Sequence, residues 1–96
     1  NVYPAEVEAV LHQHPKILEV AVIGITDSKW GETVCAVVVP RPGEELTEAE
    51  VIEFTMGRLA GYKKPRKVVF TGALPRNPSG KVLKTVLRSE QAPRPG

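Results

Sequence analysis

Lys81 stands in the run Pro75-Arg76-Asn77-Pro78-Ser79-Gly80-Lys81-Val82-Leu83-Lys84. Two prolines and a Ser-Gly pair impose a tight turn there, ahead of Val82, Leu83, Val86 and Leu87, which fall at helical spacing. The pattern predicts a short helix beginning near Ser79 or Lys81, with the lysine at its start. A cation in that place opposes the helix macrodipole by a few tenths to about 1 kcal/mol, whereas the free backbone N–H groups favour an anion. A phosphate or carboxylate ligand would resolve the conflict and make Lys81 a candidate for chemistry; the alternative, on the residues alone, is a solvated lysine. Gly80-Lys81 is nevertheless no Walker loop. The glycine required five residues before the Gly-Lys pair is Pro75, and the Ser or Thr required after it is Val82.

Other reactive sets are thinner. His12 and His14 lie two apart and face different directions on a helix, so they form no metal pair there, and Glu6 and Glu8 fail in the same way as paired carboxylates. The single Cys35 lies inside the apolar run Val34 to Val39, which rules out an internal disulfide and marks the thiol as a buried small hydrophobe. One Cys and two neighbouring His assemble no Ser/His/Asp, Cys/His or zinc-finger set, and no metal site is expected.

The formal net charge of +2 hides a split. Up to Gly57 there are three Lys and Arg against ten Asp and Glu; from Arg58 onward there are ten against one. Such asymmetry implies an anionic partner at one end: a nucleotide, a phosphorylated cofactor, nucleic acid or an acidic protein surface. The alternative is that the two halves pair with each other in the fold. The cluster from Lys63 to Lys67, taken by itself, is a solvated basic turn.

The elements that must position these groups can be drawn from pattern. Pro4 suits the first turn of a helix carrying Val7, Val10 and Leu11 at core spacing, with Glu6 and Glu8 near its favourable end and His14-Pro15 closing it. Ile17 to Ile25 is dense in β-branched residues and predicts a strand covered in part on both faces. Asp27 to Gly31 reads as a loop, and Thr33 to Val39 as a second, nearly continuous apolar strand closed by Pro40 and Pro42-Gly43; together they predict a long-looped hairpin. Thr47-Glu48-Ala49-Glu50 is a capping box that launches Val51, Ile52, Phe54 and Leu59 on a helix stopped by Gly61. Lys67 to Thr71 reads as a third strand.

These elements give an α+β domain over 1–89, a small three-stranded sheet packed with three helices, strand order left open, followed by a disordered tail at 90–96. Ninety-six residues make one domain with a modest core and no room for a cleft between two lobes. No apolar stretch approaches the roughly 20 residues of a transmembrane helix, and no charged-then-apolar leader opens the chain. The expectation is a soluble, cytoplasmic protein.

Four stretches occur together in a familiar order: Asn1-Val2-Tyr3-Pro4-Ala5-Glu6-Val7-Glu8, then Asp27 with Trp30-Gly31-Glu32, then Gly61-Tyr62-Lys63-Lys64-Pro65, then Pro75 to Lys81. In this they resemble the C-terminal domain of acyl-CoA synthetases, members of the adenylate-forming, AMP-binding superfamily. The resemblance covers the whole ordered chain and implies a two-step ligase. A carboxylic acid attacks the α-phosphate of ATP to give an acyl-adenylate, and the thiol of CoA then displaces AMP. Lys81 matches the family's adenylation lysine. Trp30, Gly31, Tyr62, Lys64 and Arg66, with Lys63 and Glu32 beside them, resemble residues that meet the CoA nucleotide after the domain rotates against a large N-terminal domain.

The resemblance further implies that this N-terminal adenylation domain is the partner. ATP and CoA would be co-substrates, a fatty or aromatic acid the substrate, and Mg2+ would come with the N-terminal domain. The phosphate loop, acyl pocket, ribose-binding acid and hinge residue of the family are absent from these residues, which implies a fragment that adenylates nothing alone. The reading from another class is a free-standing basic module for nucleic acid or an acidic partner. Few aromatic residues are available for base stacking, and no nucleic acid is expected.

Overall fold

The computed structural model describes residues 3–29 and 31–91. The opening Asn1-Val2, Trp30 and residues 92–96 of the expected tail lie outside the described residues. The elements run α1 (Pro4–Leu11), β1 (Ile17–Asp27), β2 (Gly31–Pro40), α2 (Glu48–Thr55), a 3-10 turn at Gly61–Lys63, β3 (Lys67–Phe70) and α3 (Lys84–Gln91). This is the expected α+β class with three helices and three strands. The sheet order is β1-β2-β3, with β1 antiparallel and β3 parallel to the central β2.

The dense apolar runs of β1 and β2 follow from a sheet covered on both faces. One face directs Val20, Val22, Val34, Ala36 and Val38 against Val7 and Leu11 of α1 and Val51 of α2. The opposite face directs Ala21, Ile23, Ile25, Cys35, Val37 and Val39 against Leu74 and Leu87, the latter from α3. Alternate residues along each strand therefore serve different helices, and a one-residue slip would exchange the two cores. The pairing does slip once, between Ile17 and Glu19, where Leu18 is left exposed.

Both outer strands have an outward amide taken by a carboxylate. Val22 N–H on β1 donates to Glu8 Oε2 of α1 at 2.8 Å, and Val68 N–H on β3 donates to Glu48 Oε2 of α2 at 2.8 Å. The capping box forms as expected: Glu50 N–H donates to Thr47 Oγ1 at 3.1 Å, and Thr47 N–H donates to Glu50 Oε1 at 3.2 Å.

Four boundaries differ from expectation. The hairpin is tight rather than long-looped, because β1 and β2 stay paired out to Asp27 and Gly31. α2 ends at Thr55, where Met56 is extended and Gly57 takes φ +77°, so Leu59 reaches the core from outside the helix. α3 continues through Gln91, so residues 90 and 91 are helical rather than part of a disordered tail. The same helix begins only at Lys84, which bears directly on Lys81.

Candidate functional site

Lys81 does not start a helix. It lies three residues before α3, in a compact loop that doubles back on itself: Arg76 and Val82 form an antiparallel bridge, Asn77 N–H donates to Lys81 C=O at 3.0 Å, and Leu83 N–H donates to Pro75 C=O at 2.8 Å. Val82 and Leu83 thus belong to an extended return, and the macrodipole conflict expected for Lys81 does not arise. What fixes its backbone instead is Asn77. Asn77 Oδ1 accepts from Ser79 N–H at 3.0 Å, Ser79 Oγ at 2.8 Å and Lys81 N–H at 2.9 Å, an Asx arrangement that holds the turn from within. Gly80, at φ +91°, supplies the left-handed step immediately before the lysine.

Two ion pairs hold the loop to the rest of the domain. The Arg76 guanidinium pairs with Glu19 on β1, and its Nη1 also donates to Gly80 C=O at 2.7 Å. Lys84 Nζ, at the loop's far end, lies 2.9 Å from Glu8 Oε2, the oxygen that also accepts from Val22 N–H. Lys81 itself is exposed, and among the described residues no acid pairs with its ammonium. It lines an open groove of about 640 Å³ with Glu8, Asn77, Lys84, Thr85 and Arg88, floored by Val20 and Ala21 of β1. A hydrogen-bonded loop therefore carries an exposed cation, without a described acid partner, into a space that an anion can enter.

The remaining expected residues gather elsewhere. Gly31 opens β2 with φ +78° and closes the tight hairpin. Arg66 N–H donates to Val34 C=O at 2.9 Å, one step before β3 pairs with β2. Gly31 thus lies at the hairpin end of β2 and Arg66 beside Val34, three residues further along that strand, whereas Tyr62 and Lys64 lie in and just after the 3-10 turn that precedes β3; Trp30 lies outside the described residues. Ala21 in the Lys81 groove is six positions along β1 from Asp27 at the hairpin end, roughly 20 Å of strand. Of the described residues in the second set, none lines the Lys81 groove.

Tyr62 is 70% exposed and presents its ring beside Tyr3, with centroids 6.1 Å apart in an edge arrangement. Lys63 lies between them, 4.7 Å from the Tyr3 centroid and 5.6 Å from that of Tyr62, and its Nζ donates to Glu6 Oε2 at 2.7 Å. The Glu6 hydrogen bond, more than the opposing burial, holds the Lys63 ammonium above its ordinary pKa. Lys63 is therefore committed within the fold, whereas no described group pairs with the half-buried Lys64.

The other groups considered have structural tasks. His14 Nδ1 accepts from Lys16 N–H at 3.0 Å, and its ring meets Phe54 edge-on at 4.7 Å. Burial pushes the Cys35 thiol up to about 11, leaving it neutral at physiological pH. Among the described residues no group of three His, Cys, Asp or Glu could hold a metal ion, and no helix is long and apolar enough to cross a membrane.

Sequence pattern missed Glu8 and Glu19, since spacing along the chain cannot show that they meet Lys84 and Arg76. The charge split between the halves was the one available signal. Lys63–Glu6, Arg76–Glu19 and Lys84–Glu8 each join a base of the second half to an acid of the first.

The sequence model of the AMP-binding enzyme C-terminal domain matches residues 6–81. The chain is 53% identical over 90 residues to the long-chain-fatty-acid–CoA ligase FadD13 of Mycobacterium tuberculosis, covering 94% of this chain and 18% of that one. It is 50% identical over 88 residues to the indoleacetate–CoA ligase of Aromatoleum aromaticum, covering 92% and 17%. The crystal structure of ATP-bound MatB from Rhodopseudomonas palustris superposes with a TM-score of 0.89 at 46% identity, over 94% of this chain and 18% of that one. The chain thus spans less than a fifth of the length of these relatives.

Proposed function

The chain belongs to the AMP-binding enzyme C-terminal domain family, and from that premise we propose that it is the mobile C-terminal domain of an ATP-dependent carboxylic acid:CoA ligase. The ligase names of its relatives and the ATP carried by one of them support this reading. In the first step a carboxylate oxygen bonds to the α-phosphorus of ATP, and pyrophosphate leaves with the electrons of the broken P–O bond. In the second the CoA thiolate bonds to the acyl carbon, and AMP leaves as the acyl–oxygen bond breaks.

Lys81 is the proposed catalytic residue of the first step. Carboxylate and triphosphate repel each other, and charge builds further as the α-phosphorus is attacked. A compact ammonium on a flexible stem bridges both and offsets that charge. The observation that carries this role is the Lys81 loop itself: its backbone is fixed by Asn77 and Gly80, and its ammonium is exposed and without a described acid partner. The domain offers no metal cage among the described residues, so Mg2+ would enter with the ATP phosphates against the partner domain.

For the second step, domain rotation withdraws Lys81 and brings the turns that precede β2 and β3 to the CoA nucleotide. Tyr62 offers a ring face for adenine, Lys64 and Arg66 offer cations for its phosphates, and Gly31 and Trp30 complete the set. None of the described residues of this set lines the Lys81 groove, which supports two working faces rather than one.

Lys81→Ala in the complete ligase carrying this domain tests the assignment. Acyl-adenylate formation, read by pyrophosphate exchange, falls on the order of 10²- to 10³-fold, while thioester formation from supplied acyl-adenylate is retained. Loss of both halves together would make Lys81 a structural residue.

A further inference from the structure

We infer that Glu8 and Glu19 are positioning residues for the Lys81 loop, two carboxylates beside the outer strand β1 that set where the lysine stands. This rests on the adenylation role proposed above for Lys81. The loop is rigid within itself through Asn77 and the Arg76–Val82 bridge. Its apolar roots, Leu74 and Leu87, are buried on one face of the sheet. Apolar contacts are non-directional, so they hold the loop down without fixing its azimuth over β1. Direction comes from the two ion pairs.

Glu19 grips Arg76, and the same guanidinium donates to Gly80 C=O, the peptide that leads into Lys81. Glu8 grips Lys84 at the loop's exit. Glu8 is no loosely held surface group, and Glu19 is half-buried beside Arg76. Glu8 is anchored by the Val22 amide, and the side chains of Glu8 and Lys84 are only 24% and 29% exposed. The lysine is thus suspended between two clamps, one on each side of it in sequence, and both close on elements preceding β2. The clamps also neutralise Arg76 and Lys84, so that among these three cations Lys81 alone is left for an incoming anion.

A displacement of about 1 Å at a reacting group costs on the order of a hundredfold in rate, and a site holds its geometry only when its supporting residues are themselves held. The test is Glu8→Gln and Glu19→Gln, singly and together, in the complete ligase, with Lys81→Ala alongside. Glutamine keeps an acceptor oxygen for Val22 N–H but removes the charge.

Each single change is expected to lower kcat for pyrophosphate exchange about tenfold to a hundredfold, with the KM for ATP little changed and thioester formation from supplied acyl-adenylate held within about twofold. Glu19→Asp, which keeps the charge, is expected to restore part of the loss. Should Glu8→Gln fail to fold, Glu19→Gln carries the same test.

Two results overturn the inference while leaving Lys81 as the adenylation lysine: both half-reactions falling in parallel with thermal stability, or neither falling while Lys81→Ala abolishes exchange. If Lys81→Ala leaves exchange intact, the inference falls together with the role of Lys81 itself.

Discussion

At the scale of single residues, Gly80 is the position where backbone geometry bears most directly on the proposed chemistry. Its φ of +91° lies in a region that L side chains rarely adopt, while a Cβ built there meets nothing within 4 Å. The penalty of Gly80→Ala is therefore conformational rather than steric, about 1–2 kcal/mol. Urea unfolding should show that loss, and pyrophosphate exchange by the complete ligase should fall with it, because the next residue is Lys81. An unchanged unfolding midpoint would mean that the loop tolerates another path. Lys81 was recognisable in sequence through the company it keeps, Pro75 to Gly80, but its setting was not. Val82, Leu83, Val86 and Leu87 fit helical spacing, yet Val82 joins a β-bridge and only the last two are in α3. Four apolar residues do not separate a helix from an extended segment that leads into one.

At the scale of elements, the capping box of α2 was legible because its two reciprocal bonds are local. Thr47→Ala removes the acceptor for Glu50 N–H and should cost about 1 kcal/mol, measured as a lower midpoint of thermal unfolding. The backbone N–H of Thr47 holds the Glu50 carboxyl below its ordinary pKa, helped by the Thr47 hydroxyl and Lys16. A carboxyl with a depressed pKa stabilises the fold fully above the ordinary glutamate range and loses that contribution as pH falls through its native value. Because the Thr47 N–H survives Thr47→Ala, that penalty should be largely independent of pH, whereas the penalty of Glu50→Gln should shrink on acidification; a Glu50→Gln penalty independent of pH would dissociate the cap from the carboxylate. The ends of elements were less legible. β1 and β2 continue as strands through the polar pairs Thr26–Glu32 and Asp27–Gly31, where backbone pairing persists without an apolar pattern. α2 stops short because the chain turns at Gly57 and returns Leu59 to the core, a tertiary preference that overrides helical spacing. Strand order had no local signature, since the parallel β2–β3 pair joins residues separated by the whole of α2.

For the molecule as a whole, the acidic and basic halves are partly consumed by each other. Lys63, Arg76 and Lys84 are all tied to acids of the first half, which leaves a smaller basic surface than the sequence suggests. A random-sequence DNA duplex should bind this chain more weakly than the roughly 10⁻⁴–10⁻⁶ M of non-specific binding by DNA-binding proteins at physiological salt. Binding within or above that affinity range that weakens log-linearly with salt would instead favour a nucleic-acid module. A three-stranded sheet has two open sides, and an open side recruits strands from other chains. Glu8 at Val22 and Glu48 at Val68 each engage an amide that an intruding strand would need. The same acid that steadies the lysine loop thereby also discourages the lobe from zipping onto its own copies, so that accuracy in chemistry and freedom from self-association draw on a single side chain.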